Sequence, residues 1–449
     1  MKMARLDAPP EERTTPSGGG NPSRAPVSAL PELLRIQQHC PPGEGIDVEA
    51  VLASELEDKG ILKRVRPGSK VVLAAGSRGI PNYQIVIRKL VALLQAAGAE
   101  VVIFPAMGSH GGGTGPGQVQ ILQLLGITEE TVGAPVVDTM HVEAIGTTSS
   151  GITIYADRTL MDCDAIILVN RIKEHTEFSG SIQSGLLKMM AIGLGRAQGA
   201  AEVHRHAVSL GYEKAILEAA RFYLERLPLA AGVALLDSPM GATAHLEVIR
   251  PADLESAERR LVQKAAGLSL KLPLDRIDVL VVDRMGKEIS GTGMDTKVIG
   301  RIMNVYEPEP EGPRITRIFV RDLTPATHGN AVGIGLADFT TRRLIEKVDL
   351  GATNLNCLTA ITPEKARLPM AFDHDRQALE AAIATTGCRD AHSVRLLWIR
   401  DTLSLTRLVA SPAAVQSMDP AAVSVLGDPF PFDFDGQGDL TSPWDGFPG

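Results

Sequence analysis

Short, unbroken apolar runs rich in β-branched residues recur along this chain, with helical patterns between them. "KVVLAA" (70–75), "EVVIFPA" (100–106), "DAIILVNRI" (164–172) and "GVALLDS" (232–238) show no polar alternation. A strand without alternation is buried on both faces, as in parallel sheets covered by helices. "NYQIVIRKLVALLQAAG", opened by Pro81, reads as the helix between the first two runs. "TVGAPVVDT", "HVEAIGTT" and "GITIYADR" read as shorter strands, the last two a hairpin through Ser149, Ser150 and Gly151. The run 232–238 is expected to close this set. After a helical stretch over 252–268, "IDVLVVDRM" (277–285) begins a second one, with "RITRIFVRDLT" (314–324) and "VRLLWIRDT" (394–402) as further strands.

The fold class is therefore α/β. Two α/β domains with mainly parallel sheets are expected, the active site lying at the strand C-terminal ends near the domain cleft. Residues 1–28, rich in Pro, Gly and Ser, read as a disordered tail. The N-terminal domain is placed at 29–270, the C-terminal domain at 271–425 and a C-terminal tail at 426–449. At 449 residues the chain exceeds one compact core. With aromatics at 4%, that core must be built from Val, Ile, Leu and Ala.

A net charge of −8 argues against a nucleic-acid or anionic-membrane surface, so an anionic ligand needs a few placed cations. Cys40, Cys163, Cys357 and Cys388 are scattered and suggest reduced, mostly buried thiols in a cytoplasmic protein. The N-terminus has no apolar signal segment, and no apolar run reaches the ~20 residues of a spanning helix.

The strand ends gather ionisable residues. "GSRGIP" brings Ser77 and Arg78, "MGSHGGGT" brings His110, and "KEHTEFSG" brings Lys173 and His175. In the second set, "GKEISGTGMD" brings Lys287, Glu288 and Asp295. Three strands of one sheet thus aim an arginine and two histidines at one rim. His39, His141, His245, His374 and His392 read instead as helix-end or surface residues. The glycine run 111–117 fits neither a P-loop nor a dinucleotide fingerprint.

Two further features fall in 170–206. "AAEVHRHAVSL" reads as helical, which turns His204 and His206 about 200° apart, so at most one of them can bind a given metal. Lys188 lies in "SGLLKMMAIGLG", where an ammonium must snorkel, shift its pKa or be covalently modified.

The ordered set "GSR" (76–78), "GSH" (108–110), "HTEFSG" (175–180), Lys188 and His204 resembles the nickel-dependent lactate racemase family, whose members use a nickel-pincer nucleotide. The resemblance covers most of residues 28–410 and is strongest over 70–206. It implies a racemase or epimerase of a small anionic 2-hydroxy acid, working by hydride transfer to the cofactor. His110 and His175 are then the two bases, and His204, rather than His206, is the nickel ligand. The cofactor, a pyridinium-type mononucleotide, is held by Lys188 as tether with Ser77, Arg78, Ser179 and Lys287. Arg78 and Lys287 are assigned to its phosphate or to the substrate carboxylate. Cofactor-biosynthesis proteins are the implied partners, and a homo-oligomer is compatible with this reading. The chain departs from the family at Ala75, where an aspartate is usual, at Gly111, where an arginine often follows the histidine, and in a longer 175–188 segment. A nicotinamide-type oxidoreductase, or a non-catalytic protein retaining the fold, is the alternative.

Overall fold

A computed structural model describes residues 30–40, 45–77 and 79–447; the expected 1–28 tail and Arg78 lie outside these residues. The described strands in chain order are β1 (Leu33–Gln38), β2 (Lys70–Ala75), β3 (Glu100–Pro105), β4 (Val142–Thr147), β5 (Thr153–Asp157), β6 (Ala165–Arg171), β7 (Leu229–Asp237), β8 (Thr243–Ile249), β9 (Arg276–Met285), β10 (Arg314–Leu323), β11 (Phe339–Thr341), β12 (Met370–Phe372), β13 (Leu396–Ile399), β14 (Arg407–Ala410) and β15 (Val423–Phe430). They form a five-stranded sheet, an eight-stranded sheet and the separate β4–β5 hairpin.

The first sheet runs β3-β2-β6-β7-β8. Its first four strands are parallel, and β8 pairs antiparallel with β7. Alternate residues go to opposite faces. Val72, Ala74 and Phe104 enter one core, and Val71, Leu73 and Ile103 the other. Helices α1 (Val48–Asp58) and α2 (Tyr83–Ala96) cover the second face. Asp47 starts α1 by accepting the Glu49 and Ala50 amides. Helix α3 (Gly115–Leu124) begins the same way, Thr114 accepting the Gly117 amide. The first face is covered by α4 (Leu186–Gly193), α5 (Arg196–Leu210), α6 (Tyr212–Arg226) and α7 (Leu254–Leu268).

The second sheet runs β12-β11-β10-β9-β13-β14-β1-β15. It is parallel from β12 to β13 and antiparallel beyond. Helix α8 (Leu350–Thr359) stands after β11, and α9 (Asp375–Ala384) packs on one face of the sheet. Among the described residues no helix is long and apolar enough to cross a membrane.

Three expectations need correction. The first set is closed by β8, not by 232–238; "TAHLEVI" carries polar residues because its strand lies at the sheet edge. Strand β1 pairs with β14 and β15, so the expected 29–270 unit yields its first strand to the second sheet. The 426–449 segment is no loose tail over its described residues: β15 runs to Phe430, and Leu440, Phe447 and Trp444 pack in the core around Trp398. Apolar side chains with a sheet face to cover hold it there. The four cysteines are free, but only Cys357 is buried.

Candidate functional site

Strands β2, β3 and β6 are neighbours, and the loops leaving them meet at one rim. A cavity of about 290 Å³ opens there. Ser77, His110, His175, Lys188, His204 and Lys287 all line it. Ser77 and His110 follow β2 and β3, and His175 follows β6. Lys188 comes from α4, His204 from α5, and Lys287 crosses over from the end of β9. The same cavity takes Ser109, Asn170, Lys173 and Glu288.

Ser77 Oγ bonds His110 Nδ1 and so orients that ring. The loop around His110 needs glycine. Gly111 has φ +64°, and a Cβ there would lie 2.4 Å from the Gly117 carbonyl carbon. An arginine after the histidine is therefore incompatible with this loop, which accounts for one departure from the family pattern. The loop is pinned from below by Gln118, whose Nε2 donates to the Gly108 carbonyl at 2.7 Å. Arg196 in turn donates to Gln118 Oε1 (2.6 Å), the Pro105 carbonyl (3.0 Å) and Asp157 (2.7 Å).

His175 is held on both ring nitrogens. The Glu177 amide donates to Nδ1 at 3.0 Å, and Nε2 meets Lys188 Nζ. A neutral imidazole has one N–H, so with Nδ1 accepting, the ring proton sits on Nε2. Lys188 Nζ is the partner on that side of the ring. Burial first, then the charges of Lys188, Lys173, His204 and Lys365, holds His175 well below the usual histidine range. His204 is pulled down to about 4, by burial first and by Lys188 second. Both rings are thus neutral near pH 7. Phe178 stacks on His175 at 4.3 Å and on Tyr212 at 4.9 Å, and Tyr212 meets the His204 ring edge-on. The "HTEFSG" phenylalanine thereby props the two imidazoles through one aromatic stack.

Lys188 is presented by a helix with an unusual start. Its N-terminal Leu186 and Leu187 amides both donate to Glu258 of α7, at 2.7 and 3.0 Å. Glu258 is fully buried, its Oε1 has no partner, and burial raises it to about 7. Lys287 Nζ donates to Asn356 Oδ1 (2.8 Å) and to the Gly291 carbonyl (3.1 Å).

Ser179 falls outside the cavity. It lines a neighbouring surface recess with Tyr212 and Glu307, and its hydroxyl meets Lys297 Nζ. Loop 173–180 turns away after Phe178, a course its sequence does not reveal. Asp295 caps a short helix and lines a second cavity of about 310 Å³, which shares Arg171 and Lys173 with the first. His206 bonds the Glu202 carbonyl one turn back and does not line the cavity. Sequence reasoning missed Glu258, Gln118, Arg196 and Asn170; only burial among apolar neighbours distinguishes them.

Among the described residues no three His, Cys, Asp or Glu side chains converge to hold a metal. Residues 32–215 match the family model of the lactate racemase N-terminal domain. No curated protein matches the chain. Among solved structures, the lactate racemase apoprotein from Thermoanaerobacterium thermosaccharolyticum is similar at 12% identity and a TM-score of 0.49, covering 83% of this chain and 99% of that one. The likeness to the lactate racemase N-terminal domain thus spans residues 32–215, the part of the chain that carries Ser77, His110, His175, Lys188 and His204.

Proposed function

We propose that this protein inverts the hydroxyl-bearing carbon of a small anionic 2-hydroxy acid, with a nickel-pincer nucleotide bound in the first cavity. The observation that carries this reading is that Ser77, His110, His175, Lys188, His204 and Lys287 line one cavity. The donor set fits such a group. His204 offers one neutral imidazole, and Lys188 brings to the same cavity an amine that can form a covalent bond once it gives up its proton. A metal bound by a single imidazole needs its other ligands from the group that carries it, as an organometallic nucleotide supplies them. When bound, that group supplies a hydride acceptor, so the α-hydrogen need not leave as a proton beside a carboxylate.

The chain's own residues then have separate tasks. His204 binds the metal and Lys188 tethers the nucleotide. Lys173 and Lys287 line the cavity and favour a carboxylate or a phosphate there. His110 and His175 exchange the hydroxyl proton, one for each enantiomer.

The test uses substrate deuterated at C2 and the cofactor-loaded enzyme. Slowed turnover with deuterium kept in the inverted product is expected. Washout into solvent would mean direct deprotonation at C2 and would end the hydride reading.

A further inference from the structure

The loop that carries His175 leaves the first sheet, yet residues of the second half grip it. Thr296 Oγ1 donates to the Thr176 carbonyl at 2.5 Å. Asn304 Nδ2 donates to the Glu177 carbonyl at 3.3 Å. The Glu177 carboxylate meets Lys365 Nζ, whose side chain is 0% exposed. Lys365 stands on a short 3-10 turn, Pro363–Ala366, with its amide donating to the Thr362 carbonyl and its own carbonyl accepting the Gly333 amide. It is a fixed post. Glu177 is also the residue whose amide donates to His175 Nδ1.

We propose that Lys365 is a positioning residue: through the Glu177 carboxylate it holds the Glu177 amide against His175 Nδ1 and so keeps the ring proton on Nε2, toward Lys188. A fully buried lysine is costly unless paired, and breaking such a pair leaves an uncompensated charge. The ion pair therefore stands or falls as a unit, and the Glu177 backbone moves with the carboxylate it carries. The placement of the second half of the molecule is read out as the tautomer of one imidazole in the first. Loss of Lys365 leaves the Glu177 amide held by the Thr296 and Asn304 bonds alone, and among the described residues that amide is the hydrogen bond that marks Nδ1 as the acceptor. The effect on catalysis rests on the racemase reading, whereas the effect on the tautomer does not.

The experiment compares full-length chains labelled with 15N-histidine, using long-range proton–nitrogen correlation at about pH 7. His175→Gln assigns the signal. In the unsubstituted protein, His175 should show one unprotonated nitrogen, Nδ1. In Lys365→Met it should become a mixture of both tautomers, while His110 keeps its pattern. The double variant Glu177→Gln/Lys365→Met removes both charges, avoids a buried unpaired ion and should give the same mixture, so misfolding of the single variant leaves the test intact. If the loaded enzyme turns over, kcat should fall by about a hundredfold in either variant, with KM within about twofold because no cavity-lining residue has changed. A folded variant whose His175 signal is unaltered overturns the proposal. A tautomer change in a protein with no racemase activity would uphold it and sink only the functional reading.

Discussion

At the scale of single residues, the pair His204 and His206 separates geometry from sequence. Both stand on α5, but only His204 lines the cavity and meets Tyr212. His206 is turned back onto its own helix, bonding the Glu202 carbonyl at 3.0 Å with the Glu202 carboxylate 3.6 Å away. His204→Ala should lose metal from the cofactor-loaded protein, measured by elemental analysis, and His206→Ala should keep most of it. Equal losses would place the metal elsewhere. Lys188 makes the parallel case for covalent chemistry. Its amine meets the His175 imidazole in the cavity that His204 also lines. After co-expression with cofactor-biosynthesis enzymes, intact mass spectrometry should find an adduct that Lys188→Ala lacks. An adduct that survives the substitution would move the tether to another residue.

At the scale of elements, α4 and α5 show what holds the site and how far the sequence disclosed it. Glu258 caps α4 from within the core. Its carboxyl titrates at about 7 against an ordinary 4.5. Below about pH 4.5 it is protonated folded and unfolded alike. As pH rises from there the unfolded chain loses the proton first, so this stabilisation fades and is gone above about 7, a change on the order of 3 kcal/mol. Urea midpoints of Glu258→Gln should be flatter than those of the parent between about pH 5 and 7.5, and an equal slope in both would refute the buried-carboxyl account. Arg196 opens α5 with 1% exposure, opposite an Asp157 that is 0% exposed. Arg196→Met should cost about 3–5 kcal/mol by stranding that carboxylate, seen as a lower denaturant midpoint, and loosen the His110 loop through Gln118. The strands β2, β3 and β6 were legible because burial on both faces leaves an unbroken apolar run. Their C-terminal ends could be found with them, and so could His110 and His175. Strands β1, β8 and β15 were not, because edge or antiparallel strands mix polar residues and their partners lie far off in sequence. Glu258, Arg196 and the Glu177–Lys365 pair were hidden for a related reason: a charge announces itself in a sequence, but its burial and its partner do not.

At the scale of the whole molecule, β1 ties the two ends of the chain together. It lies between β14 and β15, placing Leu33 in one core of the second sheet and Ile36 in the other, both fully buried. Removing it breaks two ladders at once and opens the centre of the antiparallel half, while every strand of the first sheet starts at residue 70 or later. A chain beginning at Gly45 should therefore lose the second sheet before the first. The two tryptophans can report this without a label. Trp398 lies in β13, and Trp444 bonds Asp283 of β9, so both belong to the second sheet. Trp398 Nε1 also donates to Asp283, at 2.6 Å, which makes that carboxylate a shared anchor of sheet and C-terminal segment. In the shortened chain, tryptophan emission should shift to the red and its quenching by iodide should rise, while far-ultraviolet dichroism retains the helices of the first sheet. Emission identical to that of the full chain would show that the second sheet closes without β1. That result would make the strand an ornament on β14 rather than a part of the core. Loss of all dichroism would instead mean that the first sheet needs the second one folded beside it. The grip of Thr296, Asn304 and Lys365 on the His175 loop makes such dependence a matter of the site as well as of stability. A shortened chain that keeps the first sheet should then hold Ser77 beside His110 and lose the fixed tautomer of His175.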